Sequence, residues 1–299
     1  MSKALQVNER EKTAARLLKS SAKSSYDPEV DIDWDAPLAE SQPYIPFKRS
    51  TLYGTSLWEQ LTHEQRIELT KHEFASLASN GLWFEMLLMQ ILIKDVYSQD
   101  PRTDQVHYAL TEIADECRHM TMFGKACERI GAPAYGPIPV LHHGGKILPT
   151  LVKGPSAYAS VLVAEEVLDR LQRDQMYDEE VQPLVRMVNR IHVMEEARHV
   201  TFAREEVVRR MRECNAAERA YHQQMTAVVA FCIVAALVNP RLYKSVGLRP
   251  RDAYRVAMNN PNWQDTVHWM GEKIMPFLQE AGMIGKSGMI WWKKAGLIR

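Results

Sequence analysis

The residues of this chain best suited to chemistry gather in two short segments. One is His192-Val193-Met194-Glu195-Glu196-Ala197-Arg198-His199, inside a long helical run. At 3.6 residues per turn, His192, Glu196 and His199 share one face along about 10 Å of axis, so two imidazoles and a carboxylate point the same way. The other segment, Asp115-Glu116-Cys117-Arg118-His119, repeats the order acid, Glu, any residue, Arg, His. Imidazole nitrogens and carboxylate oxygens at this spacing are donors for a transition-metal ion. Two Glu-x-x-His helices in one chain predict a dinuclear carboxylate site within a four-helix bundle. The segments differ one turn upstream, where the later has His192 and the earlier has Glu112.

Such a site needs two more acids, each on its own apolar helix. From Leu82 to Ser98 the sequence is apolar nearly all round, and Glu85 is its only acid before Asp95. A carboxylate buried there needs a partner or a metal. Asp100-Pro101 is expected to open the next helix, which carries Glu116 and His119 and stops near Gly131. Gly131 to Pro155 holds five prolines and five glycines, the composition of a long crossover rather than a long helix. A third helix is expected from Ser156 to Met176 and contains Glu165-Glu166. Helical register leaves both open, since Val161, Leu168 and Gln172 align with the first and Leu162, Asp169 and Arg173 with the second. Glu165 is preferred, with Asp169 then expected to orient a ligating histidine. The fourth helix begins near Gln182-Pro183 and runs past His199 to about Cys214.

The predicted fold is all-α, a ferritin-like four-helix bundle with a long crossover between helix pairs and additional C-terminal helices. Those later helices are marked by the cap Asn215-Ala216-Ala217-Glu218 and by Pro250 and Pro261. Residues 1–55 read as an N-terminal tail with a short helix around Arg10 to Lys19, then an extended arm anchored by Trp34, Tyr44, Phe47 and Tyr53. Residues 56–299 read as a single helical domain, its first long helix capped by Thr62-His63-Glu64-Gln65. Arg118 and Arg198 are expected just outside the donors, held by Asp115 and Glu195.

Bulk properties remove several partner classes. With 37 basic and 37 acidic residues there is no net field to recruit nucleic acid or an anionic membrane. Four cysteines without a Cys-x-x-Cys pair fit a reducing cytoplasm, and no export signal is read at the start. The longest apolar run, Ala227 to Val238, is short of a membrane span. His63, His72, His107, His222 and His268 read as surface or packing residues, and His142-His143 as part of the Gly-rich loop.

From Thr62 to Met211 these segments resemble the para-aminobenzoate N-oxygenase (AurF-like) family of dinuclear iron oxygenases, above all in the extra histidine before the second Glu-x-x-His. Carried over position by position, the resemblance implies seven metal ligands: Glu85, Glu116, His119, Glu165, His192, Glu196 and His199. It implies two iron ions, with manganese chemically possible, O2 as co-substrate, and oxygenation of an arylamine-like amine to a hydroxylamine or more oxidised product. No Gly-x-Gly-x-x-Gly motif offers a built-in reductant, so an external reductase or ferredoxin is expected. An oxygenase of this kind is expected as a small oligomer, a homodimer. The alternatives are another O2-dependent diiron oxidase, such as an acyl desaturase or hydroxylase, and ferritin-like iron oxidation and storage. A structural bundle without metal is the third.

Overall fold

The computed structural model describes residues 3–299, with side chains from Glu9 onward. Among these residues there is no strand. The chain opens with α1 (Lys3–Lys23) and the single turn α2 (Pro28–Asp31), then runs as an irregular arm to α3 (Ser56–Gln60). Two long helices follow, α4 (His63–Val96) and α5 (Asp104–Arg129), then a crossover containing α6 (Pro139–Gly145) and α7 (Leu148–Leu151). The second long pair is α8 (Gly154–Met176) and α9 (Pro183–Glu213). The C-terminal layer is α10 (Ala216–Ala236), α11 (Pro250–Met258), α12 (Pro261–Gly271), α13 (Ile274–Glu280) and α14 (Met289–Lys294). Helix α4 packs along α5, α8 along α9, and α5 faces α9 across the bundle, which is the predicted all-α architecture.

Local chemistry explains where the long helices begin. Thr62 and Gln65 form a reciprocal capping box at α4, and Asn215 and Glu218 form another at α10. Helix α4 continues through Asn80-Gly81. The missing side chain at Gly81 lets the Phe123 ring of α5 close in, because a Cβ there would lie 3.4 Å from the ring edge. Helix α5 starts later than expected, with Thr103 as its cap rather than Pro101 in its first turn. Asp100 is occupied instead by a turn, accepting the Arg102 backbone N–H at 3.0 Å. In the crossover, Gly145 seats against Trp83, where a Cβ would lie 2.3 Å from the indole.

The N-terminal region is more structured than its composition suggests. Where a short helix is expected about Arg10 to Lys19, α1 has 21 residues and lies against α5 and α9. Arg10 forks onto Glu206 of α9 at 2.8 and 3.1 Å, and Glu11 accepts the Asp104 N–H at the start of α5. In the arm, Tyr44 is buried while Trp34 and Phe47 are half-buried. Tyr53 is 38% exposed, so it does not anchor by burial as expected. Trp58 and Leu52 fill that role. Two segments, His63–Val96 and Ala216–Val246, are long and apolar enough to cross a membrane, and most of each one's apolar stretch is buried within the fold.

Candidate metal centre

The four long helices bring Glu85 (α4), Glu116 and His119 (α5), Glu165 (α8), and His192, Glu196 and His199 (α9) into one buried cluster, none of them more than 4% exposed. His119 Nδ1 lies 2.9 Å from Glu116 and 3.3 Å from Glu196, and His199 Nδ1 lies 3.1 and 3.0 Å from the same two glutamates. Glu116 and Glu196 therefore occupy the middle. At one end His192 Nε2 lies 3.2 Å from Glu85, 4.0 Å from Glu165 and 3.9 Å from Glu196. At the other end sits Glu112, within 4.8 Å of donor atoms of Glu116 and His199.

A second layer fixes the rings. His119 donates from Nε2 to Glu195 at 2.9 Å, and His199 donates from Nε2 to Asp115 at 3.3 Å. Each helix thus supplies the acid that orients the other helix's histidine, and both rings are left with Nδ1 facing inward. His192 is turned the opposite way, donating from Nδ1 to Gln172 at 3.0 Å so that Nε2 faces inward. Arg198 lies 3.4 Å from both Asp115 and Glu195, and Arg118 also pairs with Asp115, as expected of these arginines. The N-terminal segment closes this layer. The Tyr26 N–H donates to Glu195 at 3.1 Å, and the Ser24 carbonyl accepts from Arg198 at 2.9 Å.

The electrostatics of the cluster call for cations. Burial, then the charges of Glu116 and Glu165, push Glu85 well above the usual carboxylate range. Burial with Glu196 and Glu116 does the same to Glu165. Burial opposes ionisation of Glu116 too, but the neighbouring Glu85 carboxyl and the charge of His199 hold it well down. Burial, then His119, keep His192 far below its ordinary pKa, so its ring is neutral and able to ligate. Enclosed oxygens of Glu85, Glu112 and Glu196 have no hydrogen-bond partner. Four crowded carboxylates match the four charges of two divalent ions, and the oxygen and imidazole set fits iron or manganese. The residues present fit the dinuclear group that the resemblance implies.

Of the adjacent pair, Glu165 is in the cluster and Glu166 is not. Glu166 takes a two-pronged ion pair from Arg204 at 2.8 and 2.5 Å. The expectation for Asp169 is corrected, because Arg173 and Lys273 hold it and Gln172 orients His192 instead. Gln172 lies two turns beyond Glu165, a spacing that marks it as facing the same way. The other residue that the resemblance does not supply is Glu112, an acid one turn before Glu116 on a buried face. His142 and His143 are exposed and take no part.

Beside Glu85 and His192 lies an enclosed cavity of about 20 Å³, walled by Phe74, Phe84 and Phe123. At this size it has room for about one water molecule. Its polar end is made of the amides of Gln172, Gln175 and Asn189. Asn189 donates to Gln175 Oε1 at 2.6 Å, which leaves Gln175 Nε2 buried without an acceptor.

Comparison with known proteins bears on this arrangement. The uncharacterized proteins Rv0885 of Mycobacterium tuberculosis and Mb0909 of Mycobacterium bovis are each 30% identical over 205 residues, 66% of this chain. The match spans 60% of the length of these curated relatives. Among solved structures, an R2-like ligand-binding oxidase with an aerobically reconstituted metal cofactor, after photoconversion, superposes with a TM-score of 0.53 at 14% identity. That match covers 93% of both chains. A mutant of an R2-like ligand-binding oxidase with an anaerobically reconstituted Mn/Fe cofactor gives 0.52 at 14% identity, covering 92% of this chain and 93% of the other. At such identities the likeness establishes the fold alone, a ferritin-like helical bundle. The profile described as P-aminobenzoate N-oxygenase AurF matches residues 7–282, nearly the whole sequence, and the chain belongs to that family.

Proposed function

We propose that this protein is an O2-activating dinuclear metal oxygenase that transfers one oxygen atom to the nitrogen of an arylamine-like substrate. The observation that carries the reading is the convergence of three imidazoles and four carboxylates in one buried cluster. Glu85, Glu116, His119, Glu165, His192, Glu196 and His199 would hold two iron ions, and the same donors accept manganese. When bound, the metal pair supplies the electrons' path to O2 and the oxygen for transfer, with the balance amine + O2 + two electrons + two protons giving hydroxylamine + water.

The chain's own residues set the conditions for that reaction. Glu195 and Asp115 fix the tautomer and tilt of His119 and His199, and Gln172 does so for His192. Phe74, Phe84 and Phe123 keep bulk water from the Glu85 and His192 end of the cluster. Electrons come from a separate reductase or ferredoxin. The protein acts as a homodimer in the cytoplasm, with Met86 and Ile93 of α4, Tyr97 just beyond its end and Leu110 of α5, all 45–87% exposed, forming the apolar face that pairs.

The test is to load the full chain with Fe(II) without air, supply a reductant, admit O2 and assay panels of aryl amines, alkyl amines and fatty-acyl carriers by mass spectrometry. Hydroxylamine or nitro products from an amine support the reading. Desaturated acyl chains would move the protein to another oxidase class. Iron oxidation with no organic product, in a particle much larger than twice 34.3 kDa by light scattering, would overturn it in favour of storage.

A further inference from the structure

The seven donors do not exhaust the cluster. Glu112 stands on α5 one turn before Glu116, as His192 stands on α9 one turn before Glu196, and it is 1% exposed. Its Oε2 is enclosed, and it accepts no hydrogen bond from any described residue. Most other buried acids of the chain are engaged by donors that explain them: Glu166 by Arg204, Glu206 by Arg209, Asp169 by Arg173, and Glu73 by Ser50 and Thr51. The enclosed carboxylates with an idle oxygen are Glu73, Glu85, Glu112, Glu116 and Glu196. Glu73 already receives three hydrogen bonds on its other oxygen, and three of the remaining four are the assigned donors. Glu112 shares their condition and their place, with a ligand atom within 4.8 Å of those of Glu116 and His199.

A carboxylate taken out of water with no partner costs several kcal/mol, and a metal ion is the partner this location offers. We propose that Glu112 is a metal ligand, an eighth protein donor bound to the same ion as His199. This rests on the dinuclear reading above. The two ends of the centre then differ in kind: His192 adds a neutral nitrogen at one, and Glu112 adds an anionic oxygen at the other. Five carboxylates exceed by one the four charges of two divalent ions. The added carboxylate makes the donor set as a whole harder and more anionic, suited to Mn(II) or Fe(II) over softer ions.

The experiment uses the full chain, stripped of metal by chelation and titrated without air with Fe(II), and separately with Mn(II) followed by its EPR spectrum. Wild-type protein should take two ions. Glu112→Gln should weaken one of the two at least tenfold and change the Mn(II) spectrum, leaving the other ion within about twofold and helical circular dichroism unaltered. Glu112→Asp should recover part of the loss, which a purely structural role would not require. Two ions held by Glu112→Gln with wild-type affinity and spectrum would overturn the proposal while leaving the dinuclear centre standing. Fewer than two ions in the wild type would overturn both. Should Glu112→Gln not fold, Glu112→Asp carries the same measurement, and unchanged affinity and spectrum there would count against ligation.

Discussion

Helices α5 and α9 carry nearly the same five residues at the same place in the bundle, yet they do different work. Each offers a Glu to the middle of the cluster and a His to one side, and each lends the preceding acid to the histidine opposite. That exchange makes the pair mutually dependent, since neither histidine is oriented by its own helix alone. The difference lies one turn upstream, in Glu112 against His192, and two turns downstream of the histidine, where only α9 carries the acid that clamps α1. A repeated motif thus builds the shared middle, and the unrepeated positions set the two ends of the cluster apart.

The strongest way to break the comparison is to remove the shared middle. Glu116→Ala or Glu196→Ala should each drop metal content below one ion per chain and abolish oxygenation, read by elemental analysis and product assay. A variant keeping both ions would show that the two helices are not equivalent at their centres. His192→Ala should be less severe, lowering affinity for one ion while the other stays, and unchanged stoichiometry and O2 chemistry would argue against ligation.

The downstream difference has a pH signature. Burial alone would raise Glu206, but Arg209, Arg10 and Arg210 hold it at about 2. Its folded pKa lies below the unfolded value, so its stabilisation is present above roughly pH 4.5 and is lost as pH falls toward 2. Glu206→Gln should therefore cost about 3 kcal/mol at neutral pH and flatten the acid limb of the denaturation curve, with little effect near pH 2. A steep acid limb in that variant would place the acid sensitivity elsewhere.

The exchanged acids are the finest probe. Glu195→Gln should weaken metal binding about 10- to 100-fold through His119. Asp115→Asn should do the same through His199 and, because it engages both Arg118 and Arg198, should lower the melting temperature of the metal-free protein more than Glu195→Gln does. Equal effects of the two on melting would erase the asymmetry.

How much of this was legible beforehand depended on whether the deciding partner was local. The two Glu-x-x-His pairs stood out as a repeated motif, and Glu85 as the lone acid between Phe84 and Met86 of an apolar run. Glu165 and Glu166 did not separate, because α8 is buried on nearly every side from Pro155 to Asp169 and has no wet face to mark its register. What separates them is Arg204, on another helix. Helix α1 was under-read because its fully buried apolar residues, Ala14 and Leu17, are few, and the rest of its anchoring comes from the distant acids Glu206 and Glu205. Thr103 took the cap from Pro101 because Asp100 closed a turn on Arg102, a choice between two local signals of similar strength.

The contact between Tyr26 and Glu195 joins positions 169 residues apart, and this gives it a meaning in time. During synthesis Glu85, Glu116 and His119 leave the ribosome together and could pair α4 with α5 early. The acid that orients His119 arrives only with α9, and it is secured by a segment made long before it. The N-terminal segment is thus among the first parts of the chain to be made and among the last to find its partner.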